Sequence, residues 1–349
     1  MIKHSKILLG VICSVLLGLL ALVTVKPAPV QAAGAGFAVE AQPNQAQYDQ
    51  NVTYFDLKLA PKQQTTLKVK VINETAKPLR LRAEPNTGYT ADAGNEVYDK
   101  QRPKQQLSKA PYQLTNLLGG PQKVTLAPHE KRVLSFPLTM PDKPFNGVLE
   151  GALYFDKLNQ DEKPQATNRK QFQIRNRYAV VLGVVLRSSE GQMVSPNLKL
   201  NRVKVGTDKA SRFSPAVKAN LENTRANWMR GLKISSKVSR NQKTLYKTSG
   251  DQVDMAANSN FDYAISTNHE RLKAGRYKLH LVAQLDQKRW VFNRHFTVSA
   301  KQAKQVNDQS RVKKSYLIWW ILLAVIILLI AGGSYYWYRK KHRGKHQQS

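Results

Sequence analysis

A period of two dominates the sequence from Phe37 to Phe155. In one segment apolar and charged residues alternate, in the order Leu67, Lys68, Val69, Lys70 and Val71. Short half-buried strands of this kind, separated roughly every 8–12 residues by Pro, Gly and Asn, are typical of an antiparallel β-sandwich and not of helices. The pattern predicts an all-β ectodomain whose first immunoglobulin-like sandwich covers residues 37–156.

A second series of strand-like segments follows a charged, amide-rich stretch at residues 157–170. We interpret that stretch as an inter-domain linker, or as a long loop at the boundary. Strand character resumes at Phe172, and the continuous apolar run from Tyr178 to Leu186 predicts a fully buried strand. Seven further strand-like segments follow, which is the number expected of an immunoglobulin-like sandwich. The second sandwich is therefore predicted over residues 171–299.

The segment from Tyr316 to Tyr338 is 23 residues long and contains no charged side chain. A helix of that length covers about 34 Å, which exceeds the roughly 30 Å of a bilayer core. Trp and Tyr residues at both ends are typical of the two membrane interfaces. The pattern favours a single transmembrane helix at 316–338 over a buried core helix. Residues 300–315 before it are predicted to be a polar stalk.

The N-terminus resembles a secretory signal. Two lysines precede an apolar run from Ile7 to Val25, and small residues follow. We predict a signal peptide over residues 1–32, cleaved after Ala32 or Ala33, with a retained signal anchor as the alternative. The basic tail at residues 339–349 predicts a cytoplasmic C-terminus. The chain is thus expected to be a single-pass type I membrane protein with its ectodomain facing the cell wall.

The charge of the ectodomain suggests anionic partners. All 23 acidic residues, and all but eight of the 55 Lys and Arg residues, lie between the signal and the span, which leaves this part at +24. A field of this size attracts polyanions such as teichoic acid, acidic glycans and the membrane surface. Export from the cell argues against nucleic acid. The one cysteine, Cys13, lies in the signal, which argues against disulfide scaffolds and thiol chemistry.

The sequence contains no constellation typical of an enzyme. Motifs such as HExxH, GxSxG, the Walker loop and CxxC are absent. His280 and His295 lie on adjacent predicted strands and could form a two-ligand metal pair, but no third ligand is evident. Asp92 and Asp99 could form a carboxylate pair for glycoside hydrolysis, or they could be ordinary turn residues. We predict that the protein is not an enzyme and uses no cofactor or metal.

A long polar connection, residues 85–116, follows the strand-like segment Leu79–Glu84 of the first domain and contains the candidate glycan-binding residues. Sugars present apolar C–H faces and many hydroxyls, so aromatic, amide and carboxylate groups together favour their binding. The candidates are Asn86, Thr87, Tyr89, Tyr98 and Tyr112. The alternative is that they are ordinary turn residues and partly buried sandwich tyrosines.

The candidate protein-binding residues lie between two predicted strands of the second domain. Trp228 is flanked there by Arg225 and Arg230. Exposed aromatic and Arg side chains are typical anchors of protein interfaces. The alternative is that Trp228 caps the core of the sandwich.

Ordered segments of the chain resemble the WxL-interacting protein family of Gram-positive bacteria. The segments that resemble its first domain are Val52–Asn73, Glu84–Thr90, Gly120–Pro128 and Met140–Phe155. Those that resemble its second domain are Tyr178–Arg187, Pro196–Gly206, Lys218–Val238 and Met255–Gln284. The chain is not itself a WxL protein, because its one Trp-x-Leu, Trp320–Leu322, lies inside the predicted span.

This resemblance implies a peptidoglycan-binding first domain, a host-binding second domain and assembly with WxL-domain surface proteins. We therefore expect a non-catalytic, membrane-anchored adaptor whose partners are peptidoglycan and WxL-domain or host extracellular proteins, with teichoic acid as a further one. A cell-wall glycan hydrolase with an unrecognised site, and a surface adhesin or receptor, are the alternatives.

Overall fold

A computed structural model describes residues 34–104, 110–158, 178–312 and 317–343. The predicted signal peptide lies outside these residues, as does most of the predicted inter-domain linker. Within them the chain is mostly β-strand, as the alternation predicted, because alternate side chains of a strand face opposite sides of a sheet. The strands of the first half are β1 Phe37–Ala41, β2 Phe55–Leu59, β3 Gln64–Asn73, β4 Leu79–Thr87, β5 Tyr89–Thr90, β6 Glu96–Val97, β7 Gln122–Leu126, β8 Lys131–Thr139, β9 Leu149–Lys157 and β10 Ala179–Ser188.

The second half contains the seven predicted strands and two helices. The strands are β11 Leu198–Asp208, β12 Ser214–Asn223, β13 Met229–Arg240, β14 Lys243–Met255, β15 Asn260–Ser266, β16 Gly275–Leu285 and β17 Lys288–Val298. The helices are α1 Ala300–Asp308 and α2 Leu317–Arg343. A short 3₁₀ helix, Leu114–Asn116, lies before β7.

The first sandwich packs a three-stranded sheet in the order β1-β3-β8 against a five-stranded sheet in the order β2-β10-β9-β4-β7. The apolar face of β3, with Leu67, Val69 and Val71 fully buried, meets Phe136 and Phe155 in the core between the sheets. The strands β5 and β6 form a separate hairpin.

Strand β10 belongs to the first sandwich, so the prediction that it opens the second sandwich is wrong. It lies between β9, to which it is antiparallel, and β2, to which it is parallel. Val184 and Leu186 pack into the first core, whereas Val185 faces Val148 and Ala257 in a cluster between the two domains. The apolar run is continuous because both faces of the strand are covered.

This placement changes the meaning of the predicted linker at residues 157–170. The chain between β9 and β10 joins two neighbouring strands of one sheet, and the connection between the domains is the segment 189–197 that follows β10. Sequence periodicity could not show this, because alternation reports which side of a sheet a residue faces and not which sheet a strand joins.

The second sandwich packs the sheet β11-β12-β15 against the sheet β14-β13-β16-β17. The core between them contains Ile234, Leu279, Leu281 and Phe261, all buried. All neighbouring strands of both sheets are antiparallel.

The first part of the predicted polar stalk is instead the helix α1, which is part of the second domain. Ser299 caps its N-terminus in a reciprocal capping box with Gln302. Ala303 and Val306, three residues apart on one face, are buried in the second core. Asn307 then exchanges two hydrogen bonds of 2.9 Å with the backbone of Leu272.

Helix α2 begins at Leu317 and ends at Arg343, so the predicted apolar segment is helical. Its side chains from Leu322 to Tyr336 are exposed. Counted over the residues that the structure describes, no helix is both long and apolar enough to cross a membrane.

Candidate functional site

The predicted glycan-binding residues do not form an exposed surface. Strand β4 extends three residues further than its sequence pattern indicated, so Asn86 and Thr87 lie inside a central strand of the five-stranded sheet and are fully buried. Asn86 donates a hydrogen bond to the Tyr98 carbonyl at 2.8 Å. Their placement in a loop was therefore wrong, because Pro85 does not end the strand.

The three predicted tyrosines also contact other groups of the protein, with Tyr89 buried and Tyr98 and Tyr112 half-buried. Tyr89 is 3% exposed and its hydroxyl donates to Asp99 Oδ1 at 2.6 Å. Burial raises the pKa of Tyr89, and the hydrogen bond to Asp99 raises it further. The Tyr98 hydroxyl donates to Glu96 Oε2 at 3.0 Å. Tyr112 packs on Phe145, with ring centroids 5.8 Å apart.

The network around Tyr98 leads to a buried acidic cluster at the junction of the two domains. Glu150, on β9, accepts a hydrogen bond from the Ala257 amide of the second domain at 2.5 Å. Burial raises the pKa of Glu150 to about 8, and repulsion by Glu96 adds to the shift. Burial likewise raises the pKa of Glu96, and the positive charge of Arg230 partly offsets this rise. The junction therefore favours a protonated Glu150 at neutral pH.

Backbone contacts of the same junction hold the domains at short range. The Val148 amide donates to the Ala226 carbonyl at 2.7 Å, and the Asp254 amide donates to the Gly94 carbonyl at 2.7 Å. A Cβ at Gly147, where φ is +81°, would lie 2.0 Å from the Ala226 carbonyl oxygen. Only glycine fits this position, so the close approach of the two domains is encoded by it.

The predicted protein-binding residues Trp228 and Arg230 belong to a ladder of alternating cations and aromatic rings. Arg230 lies over the Trp228 ring at 4.8 Å, and Arg187 lies over the same ring at 5.7 Å. Arg187 is also 4.9 Å from the ring centroid of Tyr48, which Lys58 approaches to 5.6 Å. We call these five side chains the cation–π ladder. It crosses from the first domain to the second.

The ladder is anchored at its centre and exposed at its first-domain end. The Arg187 guanidinium donates two hydrogen bonds to the buried Asp56 carboxylate, at 2.8 and 3.1 Å. Tyr48 is 56% exposed, and Met193, whose sulfur is 3.1 Å from Arg187, is 54% exposed. Aromatic, Met and Arg side chains are enriched at protein interfaces. The ladder therefore has the composition of a protein-binding surface.

Trp228 does not cap the core of the second sandwich, which was the alternative to a binding role. It is half-buried against the inter-domain cluster of Val148, Val185 and Ala257. Arg225 is exposed and is not part of the ladder. Tyr48 and Arg187 were not predicted, because they lie on separate segments and no local pattern indicates that they meet.

An amide-lined cleft adjoins the ladder in the first domain. Its volume is about 200 Å³. The side chains that give it its chemistry are those of Gln42, Asn44, Gln47, Gln50 and Tyr54. Asn44 and Gln47 hydrogen-bond to neighbouring backbone and so fix the loop, and Tyr48 projects from the same loop. Amide groups next to an aromatic ring are the combination that suits a sugar.

The residues considered for catalysis or metal binding contact different partners. Asp92 accepts from the Asp262 amide and lies 3.4 Å from Lys218 of the second domain, whereas Asp99 pairs with Tyr89. His280 faces Asn293, whose side-chain oxygen is 2.9 Å from its Nδ1. Among the residues that the structure describes, no group of three or more His, Cys, Asp or Glu side chains could hold a metal ion.

The fold and these surfaces define a two-domain, all-β binding protein in which both domains share one buried junction. Residues 37–157 match the sequence model described as "WxL Interacting Protein, peptidoglycan binding domain". Residues 169–308 match the one described as "WxL Interacting Protein, host binding domain". The chain belongs to the WxL-interacting protein family, which confirms the resemblance in the sequence. It is a cell-wall-binding protein of the cell surface.

The second family match begins before β10, which the structure places in the first sheet. The family's sequence unit and the structural domain therefore overlap at this strand. Comparison with curated protein sequences gives no match.

Solved structures with a similar chain path are only distantly alike. A chain of a chaperone–tip adhesin complex of CFA/I fimbriae biogenesis is 12% identical, with a TM-score of 0.30 over 74% of this chain and 98% of that chain. A chain of the Salmonella enterica SafA pilin–SafB chaperone complex is 11% identical, with a TM-score of 0.28 over 75% and 96%. The E. coli chaperone DraB is 10% identical, with a TM-score of 0.27 over 75% and 98%.

Proposed function

We propose that the protein is a non-catalytic adaptor, anchored in the membrane, that binds wall glycan with its first domain and a WxL-domain protein at the cation–π ladder. The observation that carries this proposal is the ladder itself. Its aromatic and cationic side chains come from both domains, and its outer end at Tyr48 is exposed. A partner that binds there contacts both domains at once.

The ladder suits a protein partner because its geometry is set before binding. The bidentate contact of Arg187 with Asp56 fixes the guanidinium between the two rings, and both groups of this pair are largely buried. A pre-organised aromatic anchor loses little conformational entropy when it binds. Host extracellular proteins are a second class of partner for the same surface, in keeping with the description of the second family domain.

Peptidoglycan is proposed to bind at the amide-lined cleft of the first domain. The five predicted glycan-binding residues cannot fill this role as a group, because Asn86, Thr87 and Tyr89 are buried. Gln47, which lines the cleft, directly precedes the exposed Tyr48, so a glycan and a protein would bind close to the same loop. Teichoic acid is a further partner favoured by the charge of the chain.

The membrane anchor is proposed to be helix α2. The uncharged sequence from Tyr316 to Tyr338 supports it, as does the exposure of Leu328 and Leu329, which are 71% and 70% exposed. Apolar side chains on every face of a helix are typical of a segment that lies in lipid. The ends of this apolar run lie where side chains are not described. A cell-wall hydrolase remains a weaker proposal, since Asp92 and Asp99 have separate partners.

Two binding assays test the adaptor proposal with matched variants of the full chain. For the protein partner, we expect Tyr48→Ala to weaken binding to a purified WxL domain about tenfold or more, as for a hot-spot aromatic. Tyr178→Ala is the control, because Tyr178 is 46% exposed and lies outside the ladder. Equal binding by both variants would contradict a role for the ladder.

For the glycan, we expect Gln42→Ala to reduce retention on insoluble peptidoglycan, because its amide lines the cleft. Gln45→Ala is the control, since Gln45 lies in the same loop and does not line the cleft. If the wild-type chain binds neither peptidoglycan nor a WxL domain at physiological salt, the adaptor proposal as a whole is refuted.

A further inference from the structure

One end of the second sandwich, which we call the distal pole, lies opposite the end that contacts the first domain. It consists of the chain turns at residues 208–213, 240–243 and 267–276 together with residues 299–312. These ranges contain ten Lys and Arg residues and three Asp and Glu residues. A potential of one sign over one end of a domain favours an anionic partner.

The distal pole is held together by contacts that also fix where the chain leaves it. The Arg311 amide donates to the Phe213 carbonyl at 2.8 Å, and His269 Nδ1 lies 2.6 Å from the Arg311 carbonyl oxygen. The Arg311 guanidinium lies over the Phe213 ring at 5.8 Å. The chain is therefore fixed on the pole as far as Arg311.

Helix α2 begins at Leu317, so five residues separate it from Arg311. Five residues and their flanking bonds span at most about 20 Å when fully extended. If α2 crosses the membrane, the distal pole must lie within that distance of the lipid surface. The predicted stalk of sixteen residues, 300–315, would have allowed a far larger separation, but α1 takes up nine of them.

A cleft of about 670 Å³ opens on this pole, between the end of β13 and the neighbouring ends of β16 and β17. Arg240, Arg276, Lys278 and His295 line it, and no carboxylate is among its lining residues. Arg276 and Lys278 are exposed and enter no ion pair within the described part of the chain. A phosphate group entering the cleft would meet cations from two strands, Arg240 from β13 and Arg276 and Lys278 from β16.

An exposed aromatic side chain accompanies these charges. Phe213 is 45% exposed and is the last residue of the β11–β12 turn. Clustered cations with an exposed apolar side chain at the same end of the domain suit a lipid surface, where headgroup phosphates and acyl chains lie close together. A soluble polyanion would use the cations alone.

We infer that the distal pole docks on the anionic phospholipid surface of the membrane, with a headgroup phosphate in the basic cleft and Phe213 at the lipid interface. This inference rests on the proposed membrane anchor. The docked pole holds both domains in a defined orientation to the membrane, because the junction between the domains is fixed by short contacts.

The test uses the full chain, with Cys13→Ser, in nanodiscs of phosphatidylcholine with or without phosphatidylglycerol. A fluorophore on Ala210→Cys reports the distal pole, and one on Gln287→Cys reports the opposite end of the same sandwich. Headgroup-attached nitroxide lipids quench fluorophores near the surface. We expect phosphatidylglycerol to increase quenching at position 210 about twofold or more, with loss at high salt and no change at position 287.

Charge and aromatic variants separate docking from mere proximity. Arg276→Gln with Lys278→Gln should abolish the effect of phosphatidylglycerol, and Phe213→Ala should reduce it. Lys233→Gln with Arg289→Gln is the control, because it removes two exposed cations near the other end of the sheet. Equal quenching with and without phosphatidylglycerol would overturn the inference, as would an unchanged response in the Arg276 and Lys278 variant.

Two further readouts separate the causes of a negative result. Absence of the chain from the nanodiscs would refute the membrane anchor, whereas a chain present in nanodiscs with no lipid-dependent quenching would refute the docking alone. Soluble poly(glycerol phosphate) is added as a competitor. If sub-stoichiometric amounts of this polymer remove the quenching at position 210 in nanodiscs that contain phosphatidylglycerol, the cleft is assigned to a wall polymer and the lipid assignment is overturned.

Discussion

The two ends of the second sandwich show how one scaffold can serve two opposite purposes. The end that faces the first domain is buried, and it accommodates Glu150 and Glu96 with raised pKa values. The distal pole is exposed and strongly basic, with an open cleft. The strands between them are the same. The turns account for the difference between the two ends, because charged residues and glycine in turns do not disturb the core.

The most severe test of this comparison is Gly147→Ala, at the buried end. An added Cβ would meet the Ala226 carbonyl, and the positive φ is unfavourable for alanine. We expect the free energy of unfolding to fall by at least about 3 kcal/mol. Chemical denaturation of the full chain in detergent measures it. Gly120→Ala is the control, because nothing lies within 4 Å of its Cβ position. Equal denaturation midpoints would show that the junction is not tight.

The second test is the pH dependence of the junction. The pKa of Glu150 is about 8 in the folded chain, against a reference value of 4.5. Glu150 thus binds its proton more tightly in the folded chain than in the unfolded chain. The stabilisation of the folded state by this proton is complete below pH 4.5 and is lost as pH rises through 8. We expect a loss on the order of 3 kcal/mol between pH 5 and pH 9.

The matched variant for this second test is Glu150→Gln. Its side-chain oxygen can still accept the Ala257 amide, but it cannot ionise. Its stability should change little between pH 5 and pH 9 and should exceed that of the wild type at pH 9. A parallel decline of both proteins with pH would assign the pH dependence to other groups.

The third test concerns the base of the distal pole. Val306 of α1 is 6% exposed in the second core. Val306→Ala removes buried methyl groups and should cost about 1–2 kcal/mol of unfolding free energy. Gln305→Ala changes an exposed neighbour in the same helix and should be close to neutral. If both variants have the same free energy of unfolding, α1 does not pack on the second core, and the inference of a short connection to the membrane is wrong.

The smallest effect on stability is expected for Tyr48→Ala. Tyr48 is more than half exposed, so unfolding free energy should change by less than about 0.5 kcal/mol, even though binding to a WxL domain weakens. Thermal unfolding and binding measured on the same preparation check this. A large loss of stability would mean that Tyr48 supports the junction and is not a binding anchor.

The sequence predicted the all-β class and most strands, because alternation is imposed by the buried core. Strands β11 to β17 all form where they were expected. It did not predict the sheet that β10 joins, since a run that is apolar on both faces fits either domain. Likewise, the apolar positions of α1 are too few to distinguish a docked helix from a stalk.

The site was less predictable than the fold. Trp228 and Arg230 were found because they lie close together in sequence, whereas Tyr48 and Arg187 meet them only through folding. Asn86 and Thr87 were misassigned because polar side chains in a central strand are indistinguishable from turn residues in sequence. They are buried because the segment after β6 and the short 3₁₀ helix pack against the end of that strand.

The central claim is that the two sandwiches form one unit through their buried junction. Differential scanning calorimetry of the full chain in detergent tests it directly. At pH 5, where Glu150 is protonated, the claim predicts one cooperative transition for both domains, and at pH 9 a lower-temperature or divided transition that Glu150→Gln does not show. Two separate transitions at pH 5 would contradict it.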